Sequence, residues 1–187
     1  MKILYSTRLF SGLESSFINK KWSPTGVPTI YKLIEELDKR HDTKFIFSAK
    51  DSGDGYFSSW NYSKDKVILV DGLSQKIKVL TGASFYFSWL PRRVALFFRE
   101  IRQYTHIIVE TLRFKPDIMY CDHANVIVGA LLSRLQRRTL IVFRVMGVYP
   151  VMRSSLTSNR LINKIFKWAY RSPFDLVICT QDGSGVE

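Results

Sequence analysis

Asp117-Ile118-Met119-Tyr120-Cys121 is a short apolar run, and Leu140-Ile141-Val142-Phe143-Arg144-Val145 is another. Runs of this length, rich in branched and aromatic side chains, read as buried strands. Between them, Asn125 to Arg137 reads as a helix. Strand, helix, strand in that order implies a right-handed crossover joining two parallel strands.

The same alternation extends in both directions. Lys2 to Ser6 reads as a buried first strand, followed by a long polar loop carrying Gly12, Pro24, Gly26 and Pro28. From Pro28 or Thr29 the period becomes helical: Ile30, Leu33, Ile34 and Leu37 share one face, with Lys32, Glu35, Glu36 and Lys39 opposite. His41-Asp42 ends that helix, and Lys44 to Ser48 is a second strand. Residues 49–65 read as a loop, Val67 to Val70 as a short strand and Lys76 to Leu80 as a further piece. A long helix is expected from Pro91 to Phe114, another from Asn159 to Arg171, and a last strand from Leu176 to Thr180. The pattern predicts one domain over residues 1–187. It is a doubly wound, Rossmann-like α/β fold with a mostly parallel sheet and helices on both faces.

With 46% apolar and 24% charged residues, the 187-residue chain has globular composition. Its 28 Lys and Arg against 16 Asp and Glu give a formal charge of +12, which favours an anionic partner such as nucleic acid, anionic lipid or a phosphorylated substrate. Cys121 and Cys179 each follow an apolar run and read as buried thiols outside any disulfide framework. The sequon Asn61-Tyr62-Ser63 is then a chance match. The N-terminus turns polar too soon for a signal peptide, and no stretch reaches the roughly 18 to 20 apolar residues of a spanning helix. A cytoplasmic protein is expected, peripheral on the inner face of the membrane.

Most signatures of known chemistry are absent. The chain has no GxxxxGK[ST], no GxGxxG after a strand, no HExxH, no CxxC pair and no GxSxG. Three histidines and two cysteines without ligand spacing predict no metal site. The informative positions are instead the loops at the carboxyl ends of the strands, where open parallel sheets bind ligands. One is Thr25-Gly26-Val27-Pro28, where Gly26 either admits a ligand to the helix start or merely makes the turn. The second is Asp122-His123-Ala124-Asn125. Asp122 suits a helix N-cap and His123 a cleft, and both could bind sugar hydroxyls. The third, Arg144 to Pro150, offers Gly147 for close backbone approach and Arg144 for a phosphate, unless Arg144 snorkels to a polar surface.

Aromatic and basic residues also cluster. Phe85 to Arg93 leads into a helix carrying Val94, Phe97, Phe98, Ile101, Tyr104, Ile108 and Leu112. Trp89, Arg92, Arg93, Arg99 and Arg102 there, with Lys164, Lys167 and Trp168 near the end of the chain, are candidates to face an anionic membrane surface. The alternative is that each apolar stripe faces the sheet and the basic face is simply solvated.

The order of these segments resembles the N-terminal domain of family 4 glycosyltransferases, which have the GT-B fold. Lys115-Pro116-Asp117-Ile118-Met119-Tyr120-Cys121-Asp122-His123 resembles that family's KPDIVHAH segment, and Phe174 to Thr180 its ADLVIAVS strand. Lys2 to Ser6, the loop reaching Gly26 and the Thr29–Arg40 helix also match, so the resemblance spans nearly the whole chain. It implies metal-independent transfer of a hexose from a nucleotide-sugar to a saccharide or lipid-linked acceptor in polysaccharide or lipopolysaccharide synthesis. It implies further that this half recognises acceptor. The Glu-rich donor site belongs to a C-terminal domain missing here, so the chain, expected to be truncated at Glu187, binds no nucleotide-sugar and is inactive alone. The family often has His-Gly where this chain has Met146-Gly147. Gly26, His123 and Gly147 carry over as acceptor or cleft contacts. The competing reading is a non-catalytic basic α/β module binding nucleic acid or another anion. Scattered basic residues and the lack of a nucleic-acid motif count against nucleic acid.

Overall fold

The computed structural model describes residues 1–50, 60, 62–83, 91–136, 138–147 and 150–180. Trp89 and the rest of the 85–90 aromatic segment, Asn61 of the sequon, most of the expected 49–65 loop, Val148, Tyr149 and the final 181–187 lie outside the described residues.

Seven strands form one sheet: β1 (Lys2–Arg8), β2 (Asp42–Ser48), β3 (Lys66–Ile68), β4 (Ile77–Leu80), β5 (Ile118–Asp122), β6 (Leu140–Met146) and β7 (Leu176–Thr180). Their spatial order is β3-β4-β2-β1-β5-β6-β7. All pairs are parallel except β3 with β4, where Val67 sits opposite Lys78 in an antiparallel edge. The expected doubly wound α/β architecture is therefore present. Chain direction reverses its walk across the sheet at β1, which has β2 on one side and β5 on the other.

Among the described residues six α-helices cover the sheet: α1 (Ser11–Ile18), α2 (Pro28–Arg40), α3 (Arg92–Phe114), α4 (Val126–Leu135), α5 (Pro150–Thr157) and α6 (Leu161–Tyr170). One apolar cluster joins Tyr5, Phe45, Phe47 and Tyr120 to Leu13 and Phe17 of α1 and to Ile30 and Ile34 of α2. The other joins Leu4, Ile46, Met119, Cys121, Ile141 and Phe143 to Ile107 of α3, Val128 and Leu132 of α4 and Ala169 of α6. Alternation along each strand sends successive side chains to these two layers.

Three expectations need correction. The polar stretch after β1 contains α1, because Leu9, Leu13 and Phe17 recur at helical spacing and are all buried. Helix α5 starts at Pro150, the end of the Arg144 to Pro150 loop, and fills residues to which the pattern assigns no element before the Asn159 helix. Cys179 is exposed while Cys121 is buried, since β7 is an edge strand and β5 a central one.

Helix α3 turns a largely polar face to the sheet, against the alternative that its apolar stripe packs there. Its sheet-facing side carries Arg99, Gln103 and Glu110, while Phe97, Phe98 and Ile101 are 58%, 52% and 41% exposed. The buried polar groups have work at the sheet. Gln103 Nε2 donates to the carbonyls of Ala49 and Thr81 at 3.0 and 2.9 Å, just beyond β2 and β4, where the ladder has ended. Arg99 Nη1 donates to the Gly82 carbonyl, and Arg102 Nη2 donates to that of Thr81. Glu110 holds both Lys44 of β2 and Lys78 of β4. Orphaned strand-end carbonyls and lysines on the sheet face thus select a polar helix surface.

Candidate functional site

Where β1 and β5 diverge from the reversal point, a cleft opens outside their carboxyl ends, as the topology of an open parallel sheet demands. Its floor is a short cross-strand network. Asp122 ends β5, and its Oδ2 accepts the Arg8 backbone N–H at 2.8 Å. Its Oδ1 accepts from Asn125 N at 3.3 Å and Asn125 Nδ2 at 2.9 Å, so the carboxylate caps the 3₁₀ turn His123–Asn125. Burial pushes the Asp122 pKa up, against the hydrogen bonds from Arg8 and Asn125 that favour the charged form.

Arg8 was not anticipated, because β1 runs two residues past the expected strand end. Its guanidinium reaches Glu100 at 3.3 Å and Gln103 Oε1 at 3.4 Å. Glu100 also accepts from Arg99 Nη2 at 2.6 Å. Burial alone would raise the Glu100 pKa, but Arg8 and Arg99 outweigh it and the value is lowered.

His123 stands at the cleft edge. Its Nδ1 lies 2.8 Å from Tyr170 Oη, and its ring stacks on Tyr170 and Phe166 of α6. Burial, then the charges of Arg8 and Lys50, lower its pKa to about 4. The ring is therefore neutral near pH 7, with one donor and one acceptor nitrogen.

Arg144 lies within β6 and is only 4% exposed. It does not snorkel. Its Nη2 donates to Thr29 Oγ1 at 2.8 Å and its Nη1 to Tyr120 Oη at 3.3 Å, which places the guanidinium beneath the first turn of α2. Thr29 and Tyr120 belong to no chemical motif, so nothing in the residue pattern marks either as a partner of Arg144.

Two cavities meet here. One of about 230 Å³ is lined by Tyr5, Thr7, Val27, Ile30, Tyr120 and Arg144. The other, of about 1010 Å³, runs between α3 and α6 past Phe97, Ile101, His123, Ile162, Ile165 and Phe166. Arg8, Phe10 and Asp122 line both. The structure thus brings Asp122, His123 and Arg144 to one cleft.

Gly26, with φ +92°, makes the turn into α2, and a Cβ there would only touch Phe10 at 3.8 Å. Conformation rather than space requires the glycine. The tight approach belongs to Gly12, whose Cβ would collide with the Thr25 carbonyl oxygen. Gly147, at φ +78°, follows β6 and lines neither cavity.

The candidate membrane-facing residues separate into two groups. Arg92, Arg93, Lys164 and Trp168 are exposed, and Lys167 is half-buried. Arg99 and Arg102 do not belong with them. Arg99 is 4% exposed against Glu100, and Arg102 turns to Asp65 and the Thr81 carbonyl. Among the described residues no helix is long and apolar enough to cross a membrane, and no cluster of His, Cys, Asp and Glu could hold a metal ion.

No family model matches the chain, and no curated protein matches it either. Two solved structures do. A sucrose-phosphate synthase from Thermosynechococcus elongatus aligns with TM-score 0.51 at 10% identity over 95% of this chain and 42% of its own. The N-terminal domain of a trehalose-6-phosphate phosphatase from Candida albicans aligns with TM-score 0.52 at 10% identity over 91% and 38%. The chain therefore spans about two fifths of the proteins it matches. At this identity the likeness is one of fold, and it does not single out family 4. The fold shared with them is a doubly wound, Rossmann-like α/β domain.

Proposed function

We propose that this chain is the acceptor-side half of a hexosyltransferase. It would act on a saccharide or lipid-linked acceptor in cell-surface polysaccharide or lipopolysaccharide synthesis, with a second α/β domain holding the nucleotide-sugar. The observation that carries the reading is the cleft at the carboxyl ends of β1 and β5, in a domain whose solved likenesses include a sucrose-phosphate synthase. In such a transfer the anomeric carbon exchanges its bond to the nucleotide diphosphate for a bond to an acceptor oxygen. The acceptor hydroxyl loses its proton, and the nucleotide leaves. A neutral His123 suits contact with such a hydroxyl, because an uncharged imidazole both donates and accepts. Arg8 and Asp122, tied to each other across the strand ends, frame the position of the sugar.

The wall formed by α3 and α6 supports a membrane-held acceptor. Phe97, Phe98, Ile101, Leu161 and Ile162 are exposed there beside Arg92, Arg93 and Lys164, a combination that suits an anionic headgroup layer. The reading is tested by titrating mono- and disaccharides into the chain while following the cleft by NMR. Saturable shifts at His123 and Arg8 are expected. Shifts elsewhere, or none, would count against an acceptor site.

A further inference from the structure

Arg93, Leu96, Phe97, Glu100, Ile101 and Tyr104 recur at helical spacing on one face of α3 and form one wall of the larger cavity. From Arg93 to Tyr104 that wall runs about 16 Å along the helix axis. Ile162, Ile165 and Phe166 of α6 line the same cavity at the same kind of spacing. Eleven of the seventeen lining residues are apolar or aromatic, and four of these, Phe97, Ile101, Ile162 and Ile165, remain exposed to water. Apolar surface left open on two neighbouring helices marks a binding surface. At about 1010 Å³ the trough is large enough for a whole small molecule.

What fits it follows from where polar groups are missing. Helix backbones are bonded internally, so α3 and α6 offer a guest neither donors nor acceptors from their main chains. An extended peptide would bring an unpaired N–H and C=O about every 3.3 Å into the trough, each costly to desolvate. A hydrocarbon chain brings none. The charged groups that could meet a head lie at the inner end, where Arg8 closes β1 and Lys50 follows β2. After burial, the charges of these two residues are what lower the His123 pKa, so the field at that end is positive. Three basic side chains line the trough against two acidic ones, and both acids already have partners. Glu100 is held by Arg8 and Arg99, and Asp122 by the Arg8 N–H and Asn125. This end is also reachable, since the Arg8 side chain keeps 16% of its exposure. Beyond the trough Phe98, Leu161 and Lys164 are exposed, so it opens onto the same surface that suits a headgroup layer.

We propose that the trough between α3 and α6 holds the single hydrocarbon chain of an anionic amphiphile, with the charged head at Arg8 and Lys50 beside His123. The chain runs from the head along Phe97, Ile101, Ile162 and Ile165 to the exposed rim. This assignment rests on reading the cleft as an acceptor site and names the acceptor's class. It is a single-chain lipid drawn partly out of the bilayer, not one met only at the bilayer surface.

The test uses the 187-residue chain with labelled isoleucine methyls, titrated with dodecyl phosphate below the concentration at which it forms micelles. Saturable NMR shifts are expected at Ile101, Ile127, Ile162 and Ile165, which line the trough, and not at Ile34 and Ile77 of the other apolar cluster. From octyl to dodecyl phosphate each added methylene should tighten binding about threefold to fourfold. Phe97→Gln with Ile162→Gln should weaken it about tenfold or more, and both side chains are at least half exposed, so the fold is kept. Phe98 is as exposed but does not line the trough, so Phe98→Ser should leave binding within about twofold. Lys50→Gln should weaken dodecyl phosphate about twofold to fivefold and leave the uncharged octaethylene glycol monododecyl ether unchanged. No binding, an affinity indifferent to chain length, equal losses in Phe98→Ser and the double variant, or equal shifts at Ile34 and Ile77 would overturn the trough. Equal weakening of both amphiphiles by Lys50→Gln would overturn the anionic head. Self-association that the double variant abolishes, without any response to dodecyl phosphate, would give the trough to a second copy of the chain instead. Dodecyl phosphate binding with no saccharide shift at His123 keeps the trough and sinks the acceptor reading. Saccharide shifts without lipid binding do the opposite.

Discussion

Tyr170 Oη lies 2.8 Å from His123 Nδ1, and the two rings stack with centroids 5.8 Å apart, which ties the carboxyl end of β5 to α6 across 47 residues of chain. The contact holds the imidazole at the cleft edge. Its pKa of about 4 lies below the ordinary 6.5, chiefly through burial. An unfolded chain therefore binds a proton at His123 before the folded one does. Stability should be fully present above pH 6.5 and fall as the pH drops towards 4. After discounting for partial exposure, the effect is about 1–2 kcal/mol, or about 3–6 °C in midpoint. Thermal melts across that window check it, and His123→Phe should flatten the dependence.

Glu110 titrates at about 2, because Lys44 and Lys78 more than offset the cost of its burial. Its depressed pKa contributes stability above the ordinary carboxylate value of 4.5, lost as the pH falls towards 2. Glu110→Gln leaves two lysines facing α3 without their anion. It should lower stability by about 1–3 kcal/mol at neutral pH and remove the acid limb below 4.5. Chemical denaturation at two pH values measures both.

Gly26→Ala forces a side chain into φ +92° and should cost about 1 kcal/mol. Gly12→Ala should cost more, about 2–3 kcal/mol, because its methyl group meets backbone rather than open space. If the two costs came out in the reverse order, the packing of α1 against the Thr25 carbonyl would be misplaced.

Much of this was legible in the sequence. The strand positions followed from apolar runs bounded by polar residues, and the crossover rule turned their alternation into a parallel sheet. The cleft residues Asp122 and His123 followed from standing at a strand end. What escaped depended on partners distant in sequence. Arg99 and Arg102 look like membrane-facing cations on a helical wheel, but the Gly82 and Thr81 carbonyls that claim them are visible only once β4 is in place. Helix α1 was hidden by its small polar residues, Ser11, Gly12, Ser15 and Ser16, which read as loop although Leu13 and Phe17 are buried. Arg144 could be named from sequence, whereas Thr29, 115 residues away, could not.

Phe97 and Phe98 are more than half exposed, so Phe97→Ser with Phe98→Ser should leave the melting transition within about 2 °C. The same pair, or Arg92→Glu with Arg93→Glu, should abolish sedimentation with vesicles containing phosphatidylserine. Each reversed arginine should weaken binding about fivefold or more. Unchanged sedimentation in both variants would remove the membrane from the proposed function.

The most direct measurement is hexose transfer by the protein, alone and with any further domain encoded with it, using radiolabelled nucleotide-sugars and acceptors extracted from the native membrane. Transfer is predicted, and His123→Ala should lower kcat/KM about 10- to 100-fold at a temperature where the variant is still fully folded. Absence of transfer from any nucleotide-hexose, or full activity in His123→Ala, would contradict the assignment of this cleft to the acceptor.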